Sequence, residues 1–207
     1  MGCFDRLSWS RKYTSMRITG GKARGIPLVV PKGNAVRPAT DAMRQAVFSS
    51  IAPWLLDAVF LDLFAGSGAY GLEAISRGAK SGIFVELDVK AVACIRQNIN
   101  AVSKSLGHPE STLNIINMDA ATVAITSVPD LIFIDPPYGL IPRVAPELFT
   151  RLTAILREKA DPLIIFEMPG ELTLSPAGWD CVKRLGKGIR QPTVCIFRRT
   201  RALTEPR

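Results

Sequence analysis

Four apolar residues, Leu131-Ile132-Phe133-Ile134, run directly into Asp135-Pro136-Pro137-Tyr138. An apolar run of this length bounded by turn residues reads as a short buried strand. Pro136 and Pro137 end it, because neither has an N–H to give to a sheet ladder. The strand therefore delivers a carboxylate and an aromatic ring at its carboxyl end, and in open α/β sheets that edge is where ligands sit. The residue types suit a flat ring that carries an exocyclic NH₂. Asp135 accepts one N–H, the Pro136 carbonyl accepts the other because its ladder duty is over, and Tyr138 stacks on the ring face. The same four residues also make an ordinary polar turn plugged by a tyrosine, so a second motif has to decide between the two.

The surrounding pattern sets the fold class. Val59-Phe60-Leu61-Asp62-Leu63, Ile83-Phe84-Val85-Glu86, Leu113-Asn114-Ile115-Ile116 and Leu163-Ile164-Ile165-Phe166-Glu167 read as further strands. Helices are predicted over about 41–56, 69–77, 89–102, 120–126 and 143–156. Thr40 caps the first of them, whose apolar face is Met43, Val47, Ile51 and Leu55. Strands alternating with helices argue an α/β fold, a parallel sheet with helices on both faces. The pattern then changes: Cys181–Leu185 and Thr193–Phe197 have no helix between them and read as a closing antiparallel hairpin. Ahead of the core, Arg17-Ile18-Thr19 and Ile26–Val30 flank Gly20-Gly21-Lys22-Ala23-Arg24-Gly25, a small basic β-hairpin with Lys22 and Arg24 at its tip. The expected organisation is a disordered leader over 1–15, with Met16 a candidate start, a basic hairpin and helix over 16–57, the α/β domain over 58–200 and a tail over 201–207.

Charge is distributed unevenly. Residues 1–50 and 181–207 each carry +7, whereas 51–180 carry −6, for a net +8. Basic ends on an acidic body are the footprint of a phosphate-rich partner, unless they are only solvated tails. Arg37 and Arg44, on either side of Thr40, either dress the surface or edge the cleft. No apolar run approaches the ~18 residues of a membrane span, and no signal-peptide core is present. Arg6 stands where a myristoylation motif needs Ser or Thr. Cys3, Cys94, Cys181 and Cys195 lack metal-ligand spacing and read as free thiols of a reducing cytoplasm, with no metal site expected. His108, the single histidine, has no nucleophile placed near it.

The deciding motif is Gly66-Ser67-Gly68-Ala69-Tyr70-Gly71, a G-x-G-x-x-G after a strand and at the start of a helix. Gly66 and Gly68 let backbone approach a ligand closely, and Glu86 ends the next strand, where a carboxylate clasps ribose hydroxyls. A nicotinamide enzyme shares both features. Against it, Asp62 inside the first strand sits poorly beside a pyrophosphate but suits a cationic or zwitterionic ligand, and Asp135-Pro136-Pro137-Tyr138 supplies nothing for hydride transfer. S-adenosylmethionine, an adenosine joined to a zwitterionic amino acid through a sulfonium, fits such a site. Asp119, ending the third strand, is placed to accept the adenine amine.

Asp62-Leu63-Phe64-Ala65-Gly66-Ser67-Gly68 together with Asp135-Pro136-Pro137-Tyr138 resembles the class I S-adenosylmethionine-dependent amino-methyltransferases. Met16-Arg17-Ile18-Thr19-Gly20-Gly21, Arg37-Pro38-Ala39-Thr40-Asp41 running to Phe48, and Leu61 to Ala79 narrow the resemblance to the RsmD family of bacterial 16S ribosomal RNA guanine-N2 methyltransferases. It covers Met16 to about Arg199. The family usually has Thr at Ala39 and Glu-Ala-Leu-Phe-Asn at Gln45-Ala46-Val47-Phe48-Ser49, and 1–15 have no counterpart. The resemblance implies a Rossmann-like, seven-stranded, mostly parallel sheet with an antiparallel C-terminal hairpin and S-adenosylmethionine as cofactor. Asp62, Phe64, Gly66, Gly68, Glu86 and Asp119 would hold the cofactor and Asp135, Pro136, Pro137 and Tyr138 would carry the chemistry. Lys22, Arg24, Arg37 and Arg44 would meet RNA. The expected partner is 16S ribosomal RNA in the small subunit, met by a cytoplasmic monomer with no membrane contact. Rivals at this stage are a DNA adenine or cytosine amino-methyltransferase, a protein glutamine methyltransferase (normally with Asn in place of Asp135) and an RNA-binding assembly factor without catalysis.

Overall fold

Every strand of the core is short and apolar on at least one face, and the chain solves their burial with a single sheet. The computed structural model describes residues 16–31, 40–107, 109–186, 188–189 and 191–200. Among them seven strands, β1 (Val59–Leu63), β2 (Ser81–Val85), β3 (Leu113–Ile116), β4 (Leu131–Ile134), β5 (Leu163–Pro169), β6 (Trp179–Leu185) and β7 (Pro192–Arg199), pair in the order β3-β2-β1-β4-β5-β7-β6. The first five run parallel and β7 runs antiparallel to both its neighbours. The expected fold class and closing hairpin are borne out. The direction of winding reverses between β1 and β4, so the crevice at the carboxyl ends of those two strands is the topological switch point at which α/β sheets bind ligands.

Alternation along the strands builds two cores. Phe60, Phe84, Phe133, Ile165 and Ile196 face α1 (Asp41–Ser50), α2 (Ala69–Ser76) and α3 (Val89–Leu106). Leu61, Leu63, Ile132, Ile134 and Phe166 face α4 (Ile141–Ile155). Tyr70 stacks on Phe133 with centroids 5.4 Å apart, and Phe48 packs at 5.7 Å. The first helix is shorter than its periodicity suggests: α1 ends at Ser50 and a 3₁₀ turn, Ala52–Trp54, follows, because Pro53 cannot continue the helical ladder. Val47, Ile51 and Leu55 are nevertheless buried as expected. The helix predicted over 120–126 does not form. That stretch is a turn and loop rich in β-branched residues, which are weak helix formers, and Arg151 of α4 donates to the carbonyls of Ala121 and Val123 that a helix would have used.

The N-terminal segment is no appendage. It forms a single antiparallel bridge, Arg17 with Pro27, rather than two strands, and buries Ile18, Ala23 and Leu28 in the core beneath α1 and α2. Gly21, at φ 77°, brings the turn so close to α2 that a Cβ there would lie 2.0 Å from the Ser76 carbonyl. The contact is fastened by Lys22 N–H to the Ser76 carbonyl (2.8 Å), Ala23 N–H to Ser76 Oγ (2.9 Å) and, from α2, by Glu73. Glu73 is fully buried and accepts from Thr19 N–H (2.7 Å), Thr19 Oγ (2.8 Å) and Arg77 Nε (2.8 Å). The leader over 1–15 and the tail over 201–207 lie outside the described residues.

Glu73→Ala would leave two donors of Thr19 and the Arg77 guanidinium without their acceptor. Breaking one side of a buried, hydrogen-bonded ion pair costs about 3–5 kcal/mol. Urea unfolding of the variant should show a loss of that size, and a loss below about 1 kcal/mol, the scale of an exposed pair, would mean that the N-terminal segment is not anchored through this carboxylate.

Candidate active site

The loop between β1 and α2 is held in a conformation that only its sequence permits. Gly66 (φ 56°) and Gly68 (φ 77°) take left-handed backbone, and so does Phe64 (φ 59°), a placement costing a non-glycine residue on the order of 1–2 kcal/mol. Two carboxylates stabilise it. Asp62 accepts from Gly71 N–H in the first turn of α2 (3.0 Å), and Glu86 accepts from Gly66 N–H (2.8 Å). The third glycine serves packing: a Cβ on Gly71 would meet the Phe60 and Phe84 rings at 2.4 Å. Asn98 of α3 ties the loop to the N-terminal segment, donating to the carbonyls of Ser67 and Val29 (both 2.9 Å) and accepting from Val29 N–H (2.8 Å).

A cavity of about 580 Å³ opens in front of this loop, within the range of small-molecule sites. Its wall includes Asp62, Phe64, Gly66, Glu86, Asp119, Asp135 and Pro137, so most of the residues singled out from the sequence are gathered at one place. Gly68 and Pro136 do not line it. The second oxygen of Glu86 accepts from Asp88 N–H (2.8 Å), which fixes the carboxylate. Asp119 accepts from Ala121 N–H (2.9 Å) in a tight turn. Met16, Val30 and Pro31 complete the wall from the N-terminal segment. Tyr138 begins a 3₁₀ turn and is 39% exposed, outside the cavity wall. Among the described residues nothing donates to the Pro136 carbonyl, whereas that of Pro137 accepts from Leu140 N–H (2.8 Å).

Strand register then sets the electrostatics. Asp62 of β1 pairs with Phe133 of β4, and Ile134 pairs with Phe166 of β5, so Asp135 and Glu167 are the next pair along. Glu167 was not singled out as a site residue from the sequence. It is 2% exposed and accepts from the Tyr70 hydroxyl (3.0 Å). Burial pushes the Asp135 carboxyl well above the usual carboxylate range, and the neighbouring Glu167 and Asp62 push it further. Burial raises Glu167 to about 7, against the pull of the Tyr70 hydroxyl and the Arg44 guanidinium. Asp62 is likewise raised by burial, partly offset by Gly71 N–H. The signal for Glu167 in the sequence is its position: like Asp135, it directly follows a run of four apolar residues.

The cations are redistributed. Arg44 is not at the surface. It is 1% exposed, donates to the Arg17 carbonyl (2.6 Å) and Asp41 Oδ1 (2.8 Å), and lines the cavity; of the two expectations for it, the edge of the cleft holds. Arg184, Arg198 and Arg199 are spent internally, on the carbonyls of Gly170 and Leu172, on Asp161, and on the carbonyls of Leu156 and Arg157. Lys22 and Arg24 are exposed, and Arg143, which the sequence did not single out, stands exposed at the cavity. Arg37 and His108 lie outside the described residues. No group of three or more possible metal ligands gathers among the described residues, and no helix there is long and apolar enough to cross a membrane.

Comparison with known proteins agrees with this geometry. The family model described as Conserved hypothetical protein 95 matches residues 16–196. Ribosomal RNA small subunit methyltransferase D of Escherichia coli K12 is 38% identical over 130 residues, 59% of this chain and 60% of its own length. That of Haemophilus influenzae is 30% identical over 179 residues, 84% of this chain and 90% of its own. A solved structure from E. coli superposes with a TM-score of 0.66 at 30% identity, covering 89% of this chain and 98% of its own. An RNA methyltransferase from Salinibacter ruber, solved with S-adenosyl-L-homocysteine, shares the fold at a TM-score of 0.58 and 14% identity, over 82% of this chain and 98% of its own. Motifs, sheet order and a family match spanning nearly all the described residues converge, and the chain belongs to the RsmD family.

Proposed function

We propose that the protein methylates the exocyclic N2 amine of a guanine in small-subunit ribosomal RNA, using S-adenosylmethionine. The observation that carries this is one cavity walled on one side by a ribose-type carboxylate, Glu86, and on another by Asp135 at the head of Asp-Pro-Pro-Tyr. The relatives' name supplies the RNA, and the RsmD motifs supply the guanine amine. The cavity fits the cofactor on its own terms. A Cβ built on Gly66 would meet nothing within 4 Å, so the loop presents backbone to open space, and Glu86 is pre-aimed by two N–H groups. Asp119 stands on the same wall for the adenine amine.

When bound, S-adenosylmethionine supplies an electrophilic methyl on a sulfonium. This chain's residues do the rest. Guanine N2 is a poor nucleophile because its lone pair is conjugated with the ring. Hydrogen bonds to Asp135 and the Pro136 carbonyl favour a pyramidal nitrogen and aim the lone pair, and the carboxylate stabilises charge that develops there. Extracting the base from its stack costs a few kcal/mol, and stacking on the exposed Tyr138 ring, worth ~1–3 kcal/mol, offsets much of it. Lys22 and Arg24 are the surface cations offered to phosphate. The protein would act as a monomer in the cytoplasm, on a particle whose shape selects the target, because RNA with a folded surface is read largely by shape.

Two measurements test this. Labelled cofactor incubated with assembled small subunits, naked ribosomal RNA and DNA, followed by digestion to nucleosides, should place label in N2-methylguanosine and favour the particle strongly. Label in N6-methyladenosine or in DNA would overturn the assignment. Glu86→Ala should weaken S-adenosylhomocysteine binding by about 1.5–3 kcal/mol, the worth of hydrogen bonds to a charged group; unchanged affinity in calorimetry would mean that β2 does not end at the ribose.

A further inference from the structure

The proposed methyl transfer leaves a proton to be placed. The N2–methyl bond forms as the sulfur–methyl bond breaks, sulfur keeps that electron pair, and one N–H proton must leave nitrogen, whose bonding pair stays behind. Asp135 is the group within the cavity wall assigned to that amine. An aspartate at its ordinary value of about 3.9 accepts a hydrogen bond well but is a weak base.

The residue behind Asp135 addresses this. Glu167 lies within β5 at the level at which Asp135 follows β4, and both stand on the sheet face that carries Phe133 and Ile165. Glu167 is 2% exposed and does not line the cavity, so it touches neither cofactor nor substrate. It is held by the Tyr70 hydroxyl at 3.0 Å, and the Tyr70 ring is fixed by stacking on Phe133 at 18° between planes. Core packing at that position asks for no carboxylate; every other residue of β5 from Leu163 to Met168 is apolar and buried.

We infer that Glu167 is a positioning residue for the reaction: its charge, kept on the adjacent strand by Tyr70, makes Asp135 base enough to take the proton that the amine gives up. This rests on the methyltransferase reading above. The charged and titratable groups around Glu167 agree with it. Arg44 from α1 and Tyr70 from α2 favour its anion, Asp135 and Tyr138 on the β4 side feel that anion as a like charge, Asp62 stands one strand further at β1, and β7 opposes it with Val194. Like charges in a site of low polarity raise each other's proton affinity, and the two carboxyls titrate as a pair.

The test is the pH dependence of kcat in Glu167→Gln and Tyr70→Phe, with S-adenosylhomocysteine affinity measured alongside. Gln keeps the shape and an oxygen for Tyr70 but removes the charge. kcat should fall about tenfold to a hundredfold, a part of the ~10²–10⁴-fold of a full general-base contribution because Asp135 itself remains, and the acidic limb should move to lower pH because Asp135 loses its like-charged neighbour. Tyr70→Phe removes the hydroxyl that favours the Glu167 anion; because the active form carries both anions, the pair then takes up its first proton more readily and the acidic limb should move the other way, to higher pH. A merely structural role for Glu167 gives no such opposed shifts. Active wild type with both limbs unmoved in the variants overturns the role of Glu167 alone. Wild type that transfers no methyl group to the small subunit overturns the functional reading, and this inference with it.

Discussion

Taking carboxylates out of water is costly, and on adjacent strands this fold does it fully for Asp62 and Glu167 and partly for Asp135. Asp62, Asp135 and Glu167 stand on one face of the sheet, at or just past the carboxyl ends of β1, β4 and β5. Each is pushed up by burial before any other cause. A buried anion persists only where it is hydrogen-bonded or given a counter-charge. Gly71 N–H serves Asp62, and Tyr70 and Arg44 serve Glu167. Among the described residues Asp135 has no such partner, and it is the one that opens on the cavity beside Pro137. The least satisfied of the three groups is thus the one with acceptor capacity left for a donor that enters the cavity.

The same economy runs through the cofactor side. Glu86 closes the glycine loop by accepting from Gly66 and in doing so fixes its own oxygens. The loop's left-handed residues, Phe64 among them, are sustained by that bond and by Asp62 at the start of α2. The N-terminal segment belongs to this assembly. Glu73 anchors it on α2, Asn98 joins it to Ser67, and Met16, Val30 and Pro31 then wall the cavity. A change at Glu73 of α2 therefore reaches the cavity wall without lining it.

How much of this the residues disclosed in advance depended on whether the cause was local. Strands β1, β3 and β4 announced themselves because each is a short apolar run closed by turn residues or an acid. The glycine loop and Asp135-Pro136-Pro137-Tyr138 were legible because glycine and proline constrain the backbone directly. Glu167 was hidden because its importance comes from lying beside Asp135, a property of the β4–β5 pairing and not of its own neighbours in sequence. Arg44 was left between surface and cleft for the same reason: an arginine at the start of a helix can face either way, and only the packing of α1 over the site buries it. The missing helix at 120–126 shows tertiary contacts overriding a local pattern, since Arg151 reaches those carbonyls from 28 to 30 residues away. The expected hairpin strands shrank to one bridge because Glu73 and Ser76 of α2, rather than a partner strand, take up the donors of Thr19, Lys22 and Ala23.

The central claim is that one cavity has two separable halves, with Asp135 serving the substrate amine and not the cofactor. Asp135→Ala examined by single-turnover methyl transfer and by S-adenosylhomocysteine calorimetry separates them, because that ligand carries no sulfonium charge for Asp135 to feel. Transfer should fall by at least about 10²–10³-fold, the size of losing a group that stabilises developing charge, while the dissociation constant stays within about threefold, ~0.7 kcal/mol. Retained transfer, or a cofactor affinity that collapses with it, would contradict the account.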